Sequence, residues 1–325
     1  MSEAIRTILI LVLMMIAPPL AAAHEVKPAY LDIEQTYEAE FKIVWKQPVT
    51  DGKRLRLEPV FPEACQASAL EISQTSQTYI ERYQLACDLQ SGTLRIAGLE
   101  RTLTDVFIRL KRSGEPSIHA VLRPSDRIFE LGSGGDDGYR DFLRFGVEHI
   151  LLGYDHLLFV IGLVLITRAR HLPLTVTAFT LAHSLTLAGS VLTNADIPQT
   201  PVEIIIAMSL VFLAREALEH LQDRRRPQSL KPWFVAFLFG LIHGLGFAGA
   251  LRETGLPQDE RGLALLYFNI GVEIGQLAFV LVLLIIGAIL ARLLPRLFRH
   301  VQTGGAYLIG VAGAAWMIQR LFNIA

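Results

Sequence analysis

The sequence predicts a mixed chain: a small extracytoplasmic β-sandwich followed by a six-helix polytopic α-helical membrane domain. Three observations lead there. The composition is too apolar for a soluble chain, with 52% hydrophobic and 19% charged residues over 325 positions, where soluble chains carry about 25% charged residues. The apolarity is unevenly placed, with a polar, alternating segment first and long apolar stretches after it. The basic residues between those stretches fall mainly on one side of the expected membrane. The same figures exclude disordered, collagen-like and disulfide-dense classes. A net charge of −1 also argues against a nucleic-acid partner, which calls for a basic stripe.

The elements follow in chain order. Residues 1–23 place Arg6 before an apolar run from Thr7 to Ala17 and end in Leu20-Ala21-Ala22-Ala23. This basic, apolar, small-residue order is that of a secretory signal peptide cleaved after Ala23, and the run is too short to be a comfortable membrane anchor. Residues 24–131 form the expected periplasmic β-sandwich domain. Tyr37, Ala39, Phe41, Ile43 and Trp45 alternate with Glu38, Glu40, Lys42 and Val44, a period of two with one apolar exception. Further strands are expected at Arg54–Pro59, Thr78–Ala86, Thr93–Ala97, Asp105–Lys111 and His119–Leu122, separated by turn residues. Cys65 and Cys87 are the two cysteines of the chain. In an exported domain they most simply form one structural disulfide, and the absence of a CxxC pair speaks against a redox or metal role. Residues 132–145, opening on Gly132-Ser133-Gly134-Gly135, read as a linker and pre-membrane segment.

Residues 146–325 form the six-span membrane domain. The apolar stretches are 146–166, 173–192, 201–221, 232–251, 262–289 and 303–319, each near the ~20 residues a helix needs to cross the hydrocarbon core. With the β domain outside, the inner loops hold Arg168, Arg170, Arg224, Arg225, Arg226, Lys231, Arg292, Arg296 and Arg299, against Arg252, Arg261 and Arg320 outside. That asymmetry obeys the positive-inside rule. It places the chain in the bacterial inner membrane, surrounded by lipid, with the N-terminal domain and C-terminus on the periplasmic side.

Ionisable residues inside a span are costly and usually functional. The first span carries Glu148, His149, Asp155 and His156; the second His183 beside Ser184; the fourth His243; the fifth Asn269, Glu273 and Gln276. The centres of these spans fall at 156, between 182 and 183, between 241 and 242, and, for 262–285, the part of the fifth stretch needed to span, near 273. His156, His183, His243 and Glu273 are therefore expected at one depth, within about one turn. His149 and His156 are seven apart, on one helix face, with Glu148 and Asp155 on the adjacent row. Imidazoles with carboxylates suit a borderline divalent transition metal ion such as Ni²⁺, Co²⁺ or Zn²⁺, and an Asp beside a His can orient its ring. For Ser184, Asn269 and Gln276 the alternative is interhelical hydrogen bonding that simply holds the bundle together. Arg215 and Glu219, at i, i+4, read as a salt bridge at the end of the third span. Leu181–Gly189 and Leu241–Gly249 match at five of nine positions, both histidines included, which fits a transporter built from repeats.

These residues carry a resemblance. His149-Ile150-Leu151-Leu152-Gly153-Tyr154-Asp155-His156, then Phe179-Thr180-Leu181-Ala182-His183-Ser184, His243-Gly244-Leu245-Gly246-Phe247-Ala248 and Phe268-Asn269-Ile270-Gly271-Val272-Glu273 resemble the HupE/UreJ family of nickel/cobalt permease-type membrane proteins. The likeness covers the whole membrane half, and an exported domain opening on His24-Glu25 resembles the longer branch of that family. It implies that His149, Asp155 and His156 correspond to the family's metal-associated signature. Ile150 stands where that signature has Pro, and Val160 where it has Met.

The expected function is binding and transport of a divalent transition metal through His149, Asp155, His156, His183, His243 and Glu273, with Glu148, Ser184, Asn269 and Gln276 in support. The chain has no GxxxxGK[ST] motif, so energy would come from an ion gradient or a partner. The alternative is a zinc-dependent intramembrane hydrolase using the same His/Asp cluster, which lacks a supporting HExxH or GxSxG motif. A third reading has the membrane half anchor an exported domain that binds a protein partner, and it leaves the buried histidines unexplained.

Overall fold

Alternation along Phe41, Ile43 and Trp45 puts every second side chain on one face of a strand, and in the computed structural model all three are buried. The structure describes residues 28–322 apart from 51–52, 75–77, 103, 116, 133–137, 194–196, 224–229 and 254–260. The expected signal peptide and its cleavage after Ala23, most of the Gly-Ser linker, and Arg224, Arg225 and Arg226 lie outside the described residues. The chain folds as two compact units, one mainly Val26–Phe142 and one mainly Leu143–Ala248 with Leu265–Ala325.

The first unit holds ten strands among the described residues: β1 (Ala29–Tyr37), β2 (Glu40–Thr50), β3 (Lys53–Arg54), β4 (Glu58–Val60), β5 (Gln66–Gln74), β6 (Thr78–Ala86), β7 (Thr93–Ala97), β8 (Val106–Lys111), β9 (Ile118–Leu122) and β10 (Ile128–Glu130). One sheet runs β5-β6-β2-β1-β8-β9 with β3 beside β2, and a second runs β10-β7-β4. Both contribute to one apolar core, Ile33, Ile43, Trp45 and Ile108 from the larger sheet and Leu94 and Ile96 from the smaller. β1 pairs antiparallel with β2 and parallel with β8. Across the parallel pair, Arg109 donates to Asp32 at 2.7 Å; burial still pushes the Asp32 carboxyl above its usual range, against the pull of Arg109. The strand expected from Tyr37 begins at Glu40 instead. Ala39 adopts a left-handed φ of 60°, so the alternation from Tyr37 runs through a turn.

The expected Cys65–Cys87 disulfide is present. It joins the residue before β5 to the residue after β6, closing the open end of that hairpin.

The second unit holds seven helices among the described residues: α1 (Gly138–Leu152), α2 (Tyr154–Ile166), α3 (Leu172–Thr193), α4 (Gln199–Gln222), α5 (Pro232–Glu253), α6 (Arg261–Leu293) and α7 (Pro295–Phe322). Among the described residues three segments are long and apolar enough to cross a membrane alone: Ala169–Thr193, Gly262–Leu293 and Pro295–Phe322. A fourth crossing needs α1 and α2 together, which are bent by 71° at their junction. The uninterrupted first span expected from 146 to 166 is thus two helices. The described part of the fourth expected span, Pro232–Phe247, is a shorter apolar helix. α4 carries Glu203, Arg215, Glu216 and Glu219; Arg215 and Glu219 pair at 3.0 Å as expected. Arg320 donates to Glu203 at 2.8 Å, joining the end of α7 to the start of α4.

Two glycines set the closest helix contact. A Cβ on Gly146 of α1 would overlap the Phe268 carbonyl, and one on Gly271 of α6 would overlap the Leu143 carbonyl. The two backbones therefore touch directly, as small residues allow between membrane helices.

Two outcomes follow from these contacts. Cys65→Ser with Cys87→Ser is expected to destabilise the sheet unit by about 3 kcal/mol, read as an earlier unfolding transition of the full chain in detergent; an unchanged transition contradicts a structural role. Gly271→Ala, in a contact with no room for a methyl, is expected to cost at least about 1–3 kcal/mol, while the exposed Gly262→Ala, whose Cβ meets nothing within 4 Å, leaves the thermal midpoint in place.

Candidate metal centre

The junction between α1 and α2 builds the site. The chain leaves helical geometry only at Gly153, whose φ of −76° and ψ of 99° are extended. The Gly153 amide still donates to the His149 carbonyl at 3.0 Å, and the Leu157 amide to the Gly153 carbonyl at 3.0 Å. No side chain fits there: a Cβ would lie 2.6 Å from Nδ1 of His156 and 2.8 Å from the His149 carbonyl oxygen. His149 and His156 thus flank a bend. They do not lie on one straight helical face, yet their rings meet at 4.7 Å between centroids. The spacing of seven identifies the right pair, and the bend brings it together.

His183 of α3 completes the group. His149, His156 and His183 each offer one ligand atom, and the three lie within 4.8 Å of one another. All three rings are buried, His183 completely. Neither ring nitrogen of His183 makes a close hydrogen bond; the polar side chain facing it is Asn269 of α6. A buried polar group left without a partner costs about 1–3 kcal/mol, so packing alone does not account for this imidazole.

Asp155 and His243 stand behind these ligands. Oδ1 of Asp155 accepts from the His156 amide at 2.9 Å and lies 3.0 Å from His156 Nδ1. A carboxylate on Nδ1 favours the proton there and leaves Nε2 as the ligating nitrogen, the usual arrangement behind a metal-bound histidine. On α5, His243 Nδ1 lies 2.9 Å from the Phe239 carbonyl. A carbonyl only accepts, so Nδ1 carries the proton, and the buried Nε2 has no hydrogen-bond partner. The His243 ring lies 5.3 Å from that of His156.

Most of the remaining expected residues sit elsewhere; Asn269 alone among them faces the cluster, beside His183. Glu273 of α6 accepts from Thr177 at 2.6 Å, and Thr177 lies six residues, about 9 Å, before His183 along α3. Glu273 is not in the three-histidine group, so the expected common depth does not place it with the ligands. Gln276 accepts from Thr180 at 2.8 Å and is buried. These two bonds tie α3 to α6, a structural use of polar side chains inside a bundle. Ser184 donates to the Thr180 carbonyl of its own helix at 2.7 Å, and Asn269 to the Leu265 carbonyl at 2.8 Å. Glu148 accepts from Arg144 one turn earlier at 2.8 Å.

Sequence reasoning missed the aromatic residues around the site. Phe247 lies 4.2 Å from the His149 ring, and Phe268 lies 5.4 Å from it. On the other side Phe159 and Phe179 lie 5.1 and 5.2 Å from His243. A signal was available. Phe145, Phe179 and Phe239 each stand four residues before a site histidine, and Phe247 four after one, the spacing at which helical side chains meet.

The HupE / UreJ protein family model matches residues 126–320, more than half of the chain and every helix that contributes to the cluster. No curated protein matches the chain. No solved structure matches it. The N-terminal sheet is consistent with the longer branch of the matched family. With the histidine group and the family match on the same helices, the chain belongs to the HupE/UreJ family.

Proposed function

We propose that this chain is a bacterial inner-membrane protein that binds a divalent transition metal ion and carries it across the bilayer. The observation that carries the reading is the convergence of three buried histidine ligand atoms within 4.8 Å in an apolar helical unit. His149, His156 and His183 are the ligands in this reading, Asp155 orients His156, and His243 is held one ring away to take the ion over. Imidazole favours nickel, cobalt and zinc over magnesium or calcium, and neutral ligands without thiolate release an ion more readily; both cysteines are occupied by the disulfide. Membership in a transporter-like family supports the same direction. Loop charges favour an orientation with residues 24–131 and the C-terminus in the periplasm, joined by 132–145 to the membrane domain 146–325.

Glu273 takes a separate role. Its Oε2 is buried without a hydrogen-bond partner, and ionisable groups inside membrane helices are usually functional. It serves as a proton-carrying group beside the ion path rather than as a ligand. The hydrolase alternative draws less support. Ser184 gives its hydroxyl to a carbonyl of its own helix and Glu273 is held by Thr177, which leaves neither aimed at the histidines.

The test is accumulation of radioactive nickel or cobalt in cells lacking other importers. His156→Ala is expected to abolish it, and Asp155→Asn to reduce metal affinity by about 10–100-fold. Equal accumulation by wild type and both variants would remove the proposed site. Zinc-dependent proteolysis lost on the same substitutions, without uptake, would favour the hydrolase.

A further inference from the structure

The histidine group is flanked by two sets of aromatic rings from different helices. On the His149 side, Phe145 of α1, Phe247 of α5 and Phe268 of α6 form a triad with centroids 5.0–6.0 Å apart. Phe247 and Phe268 are stacked, 9° from parallel. On the opposite side Phe159 of α2 and Phe179 of α3 meet at 5.1 Å. All five rings are buried. A hydrated divalent ion does not cross a dry ring of this kind, because apolar constrictions stop conduction by excluding water.

The helices carrying the triad fall into two bodies. Phe145 and Phe268 belong to α1 and α6, whose backbones touch at Gly146 and Gly271. Phe247 belongs to α5, which is pressed on α3 where a Cβ on Gly244 would overlap the His183 carbonyl. The seam between the bodies is tied at one level by Thr177–Glu273 and Thr180–Gln276. Phe247 crosses it at the other. Along α3 and α6 these ties lie toward the Phe179 end of the cluster, so parting the seam at Phe247 swings one body about them. Gly153, the single non-helical residue between His149 and His156, lets α1 move without dragging α2.

We propose that the Phe247–Phe268 stack is the periplasm-side gate of the histidine site, and that Phe247 determines access by admitting only an ion that sheds its water. The proposal rests on the transport reading for its direction, and on the ring geometry for its location. Entry parts the stack about the Thr–Glu and Thr–Gln ties, while Phe159 and Phe179 stay closed beneath. His149, which touches both Phe247 and Phe268, is the first ligand an entering ion meets.

The experiment uses a thiol in place of His149. The described residues hold no free cysteine, so His149→Cys in the full chain reports reaction with a charged, membrane-impermeant thiol reagent added outside intact spheroplasts. Reaction is expected to be slow in this background and about tenfold faster with Phe247→Ala, the scale set by the loss of one aromatic pair. Phe247→Trp, which keeps a stacking ring, is expected to restore the slow rate, and Phe159→Ala to leave it unchanged from this side. A fast reaction before any Phe is removed, no acceleration by Phe247→Ala, or equal acceleration by Phe159→Ala overturns the gate. A metal arm separates this from the transport reading. In the all-histidine protein, Phe247→Ala is expected to speed removal of bound Co²⁺ by a chelator without changing the amount bound. Wild type that binds no Co²⁺ defeats the metal reading alone, and the thiol rates still decide the gate.

Discussion

An imidazole nitrogen buried in an apolar bundle without a partner is expensive, and the helical unit is arranged around several of them. His183 is fully buried with no close hydrogen bond to either nitrogen, and His243, beside His156, keeps one bare nitrogen. Such groups persist in a fold when they serve something outside it. Everything nearby holds the rings in place: Asp155 on His156, the Phe239 carbonyl on His243, and the bend at Gly153 that turns His149 toward His156. The two hydrogen bonds also select a tautomer, leaving Nε2 of His156 and of His243 as the remaining ring nitrogens.

Rigidity and mobility are divided between glycines. Gly146, Gly271 and Gly244 bring backbones together and join helices in pairs, whereas Gly153 interrupts the helix between His149 and His156. A site whose ligands come from more than one body is suited to reversible binding, because relative motion of the bodies loosens the ion without unfolding either. The polar ties between α3 and α6 and the aromatic triad act at different levels of the same seam, one directional and hydrogen-bonded, the other apolar and able to slide.

Much of this was legible in the sequence, unevenly. Thr78–Ala86 and Thr93–Ala97 were readable to the residue because their flanks are turn-formers. β1 and β5 were not: Gln66–Gln74 lies at a sheet edge, where both faces of the strand can be polar and no alternation is imposed. The bend at Gly153 was hidden because apolar residues continue on both sides of it, and hydropathy does not register one extended residue. The histidines stood out since charge-capable groups are rare in apolar spans. Glu273 is less legible: α6 runs over 33 residues, more than a crossing needs, so sequence position alone says little about its distance from the histidines. The aromatic layers were overlooked because Phe in a membrane helix reads as lipid-facing until its spacing from a histidine is counted.

The central claim is that His149, His156 and His183 hold one ion together. X-ray absorption at the metal edge of purified protein loaded with Co²⁺ or Ni²⁺ tests it most directly. The account expects a nitrogen shell with the outer scattering of three imidazoles, falling to two when His183 is replaced by Gln. A shell of oxygen alone, or imidazole scattering unaltered by His183→Gln, would contradict it.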